Sequence, residues 1–304
     1  MPLQLPPITR RQFVAGSLTA SAVTLLAEQL PAADRRVDAA RYALLSDIHI
    51  SQDRKKLYSM AGLAVNMTES LAQAIREILA LDPLPAAAII AGDCADQIGL
   101  SGDYAVVADL ITPLRASGVS VHLMLGNHDH RENFFDAFPD ARSKGKPDVL
   151  GKHVSVVSSP HACWFLLDSL EGTNESSGAL GKIQLEWLDA TLGDHVDKPA
   201  LVIAHHDPAR RDAALADFDA LYEVILSHKH VKAYFYGHTH RWARPFGDRI
   251  HLINLPTTAW IFDVRQPRGW VDARLHTDGV TLVLNTLNKN DPANGEIVQL
   301  RWQT

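Results

Sequence analysis

Residues 86–93, AAAIIAGD, decide the fold, because an apolar run is followed there directly by a polar residue. The run Ala86–Ala91 predicts a buried strand. A strand is predicted before it at Tyr42–Leu45 and another after it at Val119–Leu125. A segment with helical spacing of apolar residues lies between each pair, so the order is β-α-β-α-β. This order predicts an α/β fold with parallel strands and right-handed crossovers.

The rest of the chain continues as one domain over residues 41–304. Helices are predicted at Leu63–Leu81, Tyr104–Arg115, Ile183–Leu192 and about Ala213–Leu226. Further strands are predicted at Val154–Val157, Ala162–Leu167, Leu201–Ala204 and Val231–Tyr236. The C-terminal part shows only strand patterns, at Ile250–Leu255, Gly269–Leu275, Val280–Leu287 and Ile297–Trp302. Residues 139–152 are polar and contain several turn-forming residues, which predicts an exposed loop.

The composition is that of an ordinary globular protein and excludes several classes. The 304 residues are 46% hydrophobic and 21% charged, which argues against disorder, collagen-like repeats and a coiled coil. The formal net charge of −6 disfavours a broad electrostatic contact with nucleic acid or an anionic membrane. Two cysteines, Cys94 and Cys163, exclude a disulfide scaffold. No apolar run reaches the roughly 18 residues of a spanning helix, so we expect no transmembrane span in the mature chain.

The N-terminal residues 1–33 differ from the domain and read as a targeting segment. Arg10 and Arg11 precede Phe13, and a weakly apolar run ends in small residues near Ala33. The pattern resembles the twin-arginine signal, which implies recognition by the twin-arginine export machinery and a periplasmic or extracellular location. Pro31 disfavours cleavage of the signal after Ala33. One alternative is therefore that the segment stays attached as an uncleaved anchor. A second alternative is that it forms a short amphipathic helix that exposes the two arginines.

Polar residues follow five of the predicted strands, at the point where each strand ends. They are Asp47-Ile48-His49, Gly92-Asp93, Gly126-Asn127-His128-Asp129, His205-His206 and Gly237-His238-Thr239-His240. Alternate residues of an extended segment point the same way, so each i, i+2 pair can meet one ion. Ligands bind at the carboxyl ends of strands in open α/β sheets. The glycines before three of these motifs fit turns where the chain approaches a ligand closely.

Seven of these side chains form a ligand set: Asp47, His49, Asp93, Asn127, His205, His238 and His240. Imidazole, carboxylate and amide oxygen together suit iron, manganese, zinc or cobalt. Seven ligands are too many for one ion but suit two divalent or mixed-valence ions that share a carboxylate. Two ions about 3.5–4 Å apart can hold the attacking and leaving oxygens of a phosphoryl displacement. The sequence therefore predicts hydrolysis by a dinuclear metal centre.

The ordered set D-x-H, GD, GNHD, H and GHxH resembles the calcineurin-like metallophosphoesterase superfamily. The GNHD form and His205-His206-Asp207-Pro208 are most similar to the branch with class III cyclic-nucleotide phosphodiesterases and glycerophosphodiesterases. The resemblance implies a four-layer α/β/β/α sandwich of two mixed sheets, with the site between the ends of the sheets. Two departures are Asp207, where that branch often has proline, and His130, where an acidic residue is common. The departure at Asp207 implies a changed pocket wall, and the departure at His130 affects the substrate contacts expected near Arg131.

The resemblance also implies how the ligands divide between the two ions. It assigns Asp47, His49, Asp93 and His240 to one ion, and Asp93, Asn127, His205 and His238 to the other. Asp93 is thus the bridging ligand. The ions would lower the pKa of a bridging water, and the resulting hydroxide would attack a small phosphoester in line. His128 resembles the family's histidine that assists the leaving oxygen; the alternative is that it orients Asp47 or Asp93.

Several roles stay open on the sequence. His206 is predicted to contact substrate, orient a ligand or pack, and Arg131 and Asp129 to position phosphate or form a local ion pair. The chemistry is that of a phosphodiesterase or phosphomonoesterase, and the alternatives are a nucleotide-pyrophosphate hydrolase and a non-catalytic metal-binding scaffold of the same fold. The sequence contains no basic and aromatic platform for binding nucleic acid, so no nucleic-acid partner is expected. The natural substrate, the metal and the oligomeric state are not specified.

Overall fold

The computed structural model describes residues 36–60, 62–139, 148–209, 212–245, 247 and 249–303. Two sheets form its centre. The strands are β1 Val37–Leu45, β2 Tyr58–Met60, β3 Leu63–Val65, β4 Leu84–Ile90, β5 Ser120–Leu123, β6 Ser155–Ser158, β7 Cys163–Leu166, β8 Ala200–Ile203, β9 Val231–Tyr236, β10 His251–Asn254, β11 Gly269–His276, β12 Gly279–Thr286 and β13 Ile297–Arg301. The first sheet has the order β13-β12-β11-β1-β4-β5 and the second the order β10-β9-β8-β7-β6, and β2 and β3 form a separate hairpin. The predicted signal segment, residues 1–33, lies outside the described residues, as does most of the loop predicted at 139–152. Within the described part of the chain, no helix is long and apolar enough to cross a membrane.

Both sheets are mixed. In the first, β1 pairs in parallel with β4, which pairs in parallel with β5, while β11, β12 and β13 add antiparallel strands on the other side of β1. In the second, β7 to β10 are parallel and β6 is antiparallel.

Five helices are described: α1 Met67–Leu79, α2 Ser101–Ala116, α3 Arg131–Ala137, α4 Lys182–Gly193 and α5 Phe218–Ser227. Alternate residues of the strands divide the core into three layers. Leu44 and Ile89 of the first sheet face Trp164 and Phe235 of the second. The outer face of the first sheet packs on α1, α2 and α3, and the outer face of the second on α4 and α5. The predicted four-layer α/β/β/α sandwich is confirmed.

Most predicted elements are present, and the differences have local causes. The helix predicted from Leu63 begins only at Met67, because Leu63–Val65 pairs with Tyr58–Met60 as a hairpin. Asn66 then caps α1, since its side chain accepts a hydrogen bond from Glu69 N. The helix predicted from Ala213 begins at Phe218. The two-turn helix α3 was not predicted, because seven residues are too few for a clear helical period.

The last three strands, β11 to β13, belong to the same sheet as the first strand, whereas β10 belongs to the second sheet. A buried ion pair joins them: Arg41 of β1 donates from Nε and Nη2 to the two carboxylate oxygens of Asp272 in β11, at 2.8 and 2.7 Å. Arg41 Nη1 also donates to the Pro83 carbonyl at 2.6 Å. The strand that leads into the first polar motif is therefore fixed on both edges. This fixed position determines where Asp47 and His49 lie.

Candidate metal centre

All seven predicted ligands lie in loops that directly follow β1, β4, β5, β8 and β9, at the carboxyl ends of the strands. Six of them are buried and His238 is partly buried. Such a concentration of buried carboxylates and imidazoles is unfavourable without compensating partners or a cation. The structure thus brings together every ligand that the sequence singled out.

The backbone around the ligands is unusual. Asp47, His49, Asp93, His238 and His240 all adopt positive φ angles between 44° and 66°. Side-chain-bearing residues rarely occupy this left-handed region, which costs about 1–3 kcal/mol per residue. In the described chain only Gln97 and Asn174 are further non-glycine residues of this kind. The left-handed residues therefore cluster at the predicted ligands, as strained backbone does at functional sites.

The three glycines that precede ligands pack directly against other ligands. A methyl group on Gly92 would lie 2.7 Å from His205 Nδ1, and one on Gly237 would lie 2.6 Å from Asp47 Oδ2. A methyl group on Gly126 would lie 2.8 Å from His205 Cδ2. These distances leave no room for a side chain. Glycine therefore lets the backbone approach the candidate ligand side chains at these positions, and close approach of the chain to a bound ligand stays a prediction.

Asp47, His49 and His240 form the first cluster of ligand atoms. His240 Nε2 lies 3.1 Å from His49 Nε2 and 3.4 Å from Asp47 Oδ1. The other ring nitrogen of His240, Nδ1, lies 2.7 Å from the carbonyl oxygen of Trp260. Because a carbonyl only accepts hydrogen bonds, Nδ1 carries the proton and Nε2 presents its lone pair to the cluster.

Asp93, His205 and His238 form the second cluster, together with Asn127. His205 Nδ1 contacts the Ala91 carbonyl at 2.8 Å, and His238 Nε2 contacts the Ala213 carbonyl at 2.6 Å. The opposite nitrogens therefore face inward. His238 Nδ1 lies 3.0 Å and His205 Nε2 3.3 Å from Asn127 Oδ1.

Asp93 lies between the two clusters. Its Oδ2 is 3.5 Å from His49 Nε2 of the first and 3.3 Å from His205 Nε2 of the second. Its Oδ1 accepts a hydrogen bond from His128 N at 2.8 Å. In the contact between His238 Nδ1 and Asn127 Oδ1 two lone pairs face each other at 3.0 Å, and such a contact is favourable only around a cation. The donor set therefore fits two metal ions that share Asp93.

The pKa shifts at the two clusters also indicate that positive charge stabilises the buried carboxylates. Burial would raise the pKa of Asp93, but the neighbouring His205 and His49 imidazoles hold it well below its usual value. Burial would lower the pKa of His205, yet the Asp93 carboxylate outweighs burial and raises it to about 10. For His49, burial prevails and lowers the pKa to about 3. Binding of a divalent ion at the second cluster therefore requires loss of the His205 proton.

His128 lies at the edge of the two clusters. Its Nδ1 contacts the Gln97 carbonyl at 2.7 Å, so Nδ1 carries a proton and Nε2 is available for another partner. Its ring packs edge-on against the His49 ring at 5.2 Å, and it can form a ligand group with His49 and Asp93. His128 can therefore assist the leaving oxygen or orient a carboxylate, as predicted from the sequence. The structure adds a third alternative, that His128 binds a metal ion directly.

The other predicted substrate contacts have structural partners. His206 is fully buried, and its Nδ1 contacts Ser169 Oγ at 2.8 Å, which favours packing or orientation over contact with substrate. The Arg131 guanidinium forms a two-pronged ion pair with buried Asp168 at 2.9–3.3 Å. Of the two roles predicted for Arg131, the structure shows the local ion pair. A phosphate contact by Arg131 stays a prediction.

Among the described residues Asp129 forms no ion pair, and its predicted phosphate contact stays a prediction. Its buried carboxylate accepts hydrogen bonds from the backbone N–H groups of Cys94, Ala95 and Gly126 and from the Tyr104 hydroxyl. Asp129 thus joins the loops after β4 and β5. Burial, with a contribution from Asp93, raises its pKa to about 6.

Sequence reasoning missed the groups that orient the ligands. Four of them are main-chain carbonyls, of Ala91, Gln97, Ala213 and Trp260, and no residue type marks them. The Trp260 side chain was missed as well, although its ring centroid lies 4.2 Å from that of His49. A tryptophan three residues after the Asn254-Leu-Pro-Thr257 stretch was the available signal.

The calcineurin-like phosphoesterase family matches residues 40–242, a range that contains all seven predicted ligands. The chain belongs to this family. Members of the calcineurin-like phosphoesterase family are hydrolases of phosphoric esters that use divalent metals, and the resemblance noted in the motifs is thereby confirmed. The division of the ligands between two ions stays a prediction.

Several curated relatives are named phosphodiesterases. A protein named probable cyclic nucleotide phosphodiesterase from Rhodopseudomonas palustris is 30% identical over 210 residues, which cover 66% of this chain and 72% of the relative. The 3′,5′-cyclic adenosine monophosphate phosphodiesterase CpdA of Escherichia coli K12 is 28% identical over 256 residues, 79% and 86% of the two chains. The glycerophosphodiester phosphodiesterase GpdQ of Enterobacter lignolyticus is 24% identical over 222 residues, 71% and 76%.

Solved structures show the same fold at low identity. A dimetal phosphatase from Danio rerio superposes with a TM-score of 0.63 at 17% identity, covering 87% of this chain and 99% of that one. GAP50, described as the anchor in the inner membrane complex of Plasmodium, superposes with a TM-score of 0.52 at 13% identity, covering 87% and 89%. These likenesses establish the metallophosphoesterase fold.

Proposed function

We propose that this calcineurin-like phosphoesterase is a phosphodiesterase that hydrolyses small phosphodiesters, with cyclic nucleotides as the first candidates, at a centre of two divalent ions. The observation that carries the proposal is the position of Asp93 between two clusters of inward-facing acceptor atoms. The preference for diesters rests on the names of the relatives, several of which are cyclic nucleotide or glycerophosphodiester phosphodiesterases.

The residues of this chain have distinct tasks in that reaction. Bound divalent ions supply Lewis-acid chemistry, since they acidify water and neutralise charge on the phosphate. Asp93 holds the two clusters at a fixed separation, and the backbone carbonyls of Ala91, Ala213 and Trp260 orient His205, His238 and His240. His128, whose Nδ1–H donates to the Gln97 carbonyl, would act as the imidazolium: its Nε2–H would give its proton to the leaving oxygen and leave neutral imidazole.

The choice of metal follows from the donor set. Imidazole nitrogens predominate and are accompanied by carboxylate and amide oxygens, which favours manganese, iron, zinc or cobalt over magnesium and calcium. We propose that one of these four occupies each position. The matched test loads metal-free protein with each ion in turn.

A hydrolysis panel tests the function. Metal-free protein reloaded with each candidate ion is assayed on phosphomonoesters, acyclic phosphodiesters, nucleoside 3′,5′-cyclic phosphates and nucleotide pyrophosphates. The proposal expects turnover of the diesters to exceed that of the monoesters. Preference for pyrophosphates would favour the nucleotide-pyrophosphate hydrolase, whereas no turnover with two ions bound would favour a scaffold.

We propose in addition that the protein is exported by the twin-arginine route and acts outside the inner membrane. The support is the Arg10-Arg11-Gln-Phe13 pattern before a weakly apolar run. Replacing both Arg10 and Arg11 by Lys keeps the charge and should leave active enzyme in the cytoplasm. Full-length, unaltered protein found in the cytoplasmic fraction would contradict the export proposal.

A further inference from the structure

Phe262 is an exposed aromatic side chain beside a candidate ligand. It is 59% exposed, and its ring centroid lies 4.9 Å from that of His240. The same His240 ring presents Nε2 to Asp47 and His49, so Phe262 is in contact with a side chain of the first cluster. An ester group on a phosphate held at the clusters is therefore within reach of the Phe262 face.

The segment that presents Phe262 is fixed to the metal-site loops. Thr257 Oγ1 donates to the Asp47 carbonyl at 2.9 Å, and Ala259 N donates to the same carbonyl at 3.3 Å. The partly buried Arg268 side chain donates to the carbonyls of Thr258 and Ala259. These contacts hold the backbone before Phe262 in place. Little backbone conformational entropy is therefore lost when a ligand contacts the Phe262 side chain.

Two further segments expose apolar side chains next to residues of the site. Leu57, 63% exposed, precedes Tyr58, whose ring stacks on Trp260 at 4.8 Å and 14°. Ile98, 49% exposed, follows Gln97, which holds His128. Single exposed apolar side chains are ordinary on a protein surface, so the substrate contact is assigned to Phe262 alone.

We propose that Phe262 stacks on the base of a nucleotide whose phosphate is held at the metal centre, and that it thereby selects nucleotides over phosphodiesters without a base. The inference rests on the proposed function and names the part of the substrate that the enzyme recognises. A planar base matches the flat face of phenylalanine, and such stacking typically contributes a 5-fold to 100-fold gain in affinity (about 1–3 kcal/mol per base).

Two substrates with the same phosphodiester ring test this role: adenosine 3′,5′-cyclic phosphate and methyl riboside 3′,5′-cyclic phosphate, which lacks the base. For the manganese-loaded wild-type protein we expect KM to be about 5-fold to 100-fold lower for the adenosine compound. In Phe262→Ala the two KM values should converge. Phe262→Trp should keep the preference, and so should Ile297→Ala, which truncates a similarly exposed side chain on β13.

Calorimetric binding of adenosine 5′-monophosphate and of ribose 5-phosphate gives a second readout that needs no turnover. The wild-type protein should prefer the nucleotide, and Phe262→Ala should lose that preference. An equal preference in wild type and Phe262→Ala would overturn the inference, and a full preference in Phe262→Leu would replace stacking by simple apolar contact. If neither cyclic substrate is hydrolysed, the proposed function fails, and the binding ratio still decides the role of Phe262.

Discussion

At the scale of single residues, the candidate histidine ligands follow one rule. His205, His238 and His240 each direct one ring nitrogen to a backbone carbonyl and the other to the centre. The carbonyl contact fixes the ring orientation and the protonated nitrogen, so the inward nitrogen is ready to bind a cation. Rotation of any of these rings would lose a buried hydrogen bond as well as a ligand.

His128 differs from the three, because its inward nitrogen is available for substrate. If it assists the leaving oxygen, His128→Ala should slow hydrolysis of alkyl phosphodiesters by about 10²–10⁴-fold. Nitrophenyl esters should be spared, since nitrophenolate departs without a proton. The metal content should stay close to that of wild type. Steady-state rates on the two ester classes, with metal analysis of the same samples, check this prediction.

The alternative roles of His128 give a different pattern. If His128 is a ligand or orients Asp93, its removal lowers metal affinity, and both ester classes slow together. Excess metal would then restore part of the activity on both. If His128→Ala loses the same factor in rate on both ester classes and also loses metal, His128 does not act on the leaving group.

At the scale of the elements, the turns after the strands depend on glycine for two separable reasons. Gly92 and Gly151 have similar positive φ angles of 85° and 74°, but a side chain at Gly92 meets His205, whereas Gly151 faces open space. Gly151→Ala should lower the free energy of unfolding by about 1–2 kcal/mol, the cost of the left-handed backbone alone. Gly92→Ala should lower it by about 2–5 kcal/mol, because overpacking is added.

Urea unfolding of the two variants, with metal content measured in parallel, compares these costs. Only Gly92→Ala should also weaken metal binding, since it displaces His205. Equal stability losses with full metal content in both variants would show that the turn after β4 tolerates a side chain.

The same turns show why so much of the site was predictable. A polar residue at the end of an apolar run, preceded by glycine in three of the five motifs, indicates a ligand-bearing turn. Because strand ends meet at one edge of a sheet, the seven candidate ligands could be named from the sequence. The helix start at Met67 could not, because Leu63 fits both the helical period and a hairpin strand. The roles of Arg131 and Asp129 depend on partners distant in sequence, such as Asp168 and Tyr104, which spacing does not indicate.

At the scale of the whole molecule, the C-terminal strands stabilise the site although they lie beyond the residues 40–242 that match the family. The buried Arg41–Asp272 pair joins β11 to β1. Removal of one partner leaves an unpaired buried charge, so Asp272→Ala should lower the free energy of unfolding by about 3–5 kcal/mol. The exposed pair Arg54–Asp109 is a matched control, and Asp109→Ala should cost about 0–1 kcal/mol.

Chemical denaturation of both variants under identical conditions provides the comparison. A similar, small loss for the two would mean that the buried pair contributes no more than an exposed one. The role assigned to the C-terminal strands would then rest on backbone pairing alone.

The most direct test of the central claim is the number of metal ions bound per chain. Metal-free protein is loaded with manganese, desalted and analysed for wild type, Asp93→Ala, Asn127→Ala and Asp96→Asn. Asp96 is a matched control because it is a buried acid of the same loop but pairs with Lys56. The account predicts two ions for wild type and for Asp96→Asn, about one for Asn127→Ala, and loss of the two-ion centre in Asp93→Ala. Two ions bound to Asp93→Ala with wild-type affinity would contradict the bridging role of Asp93.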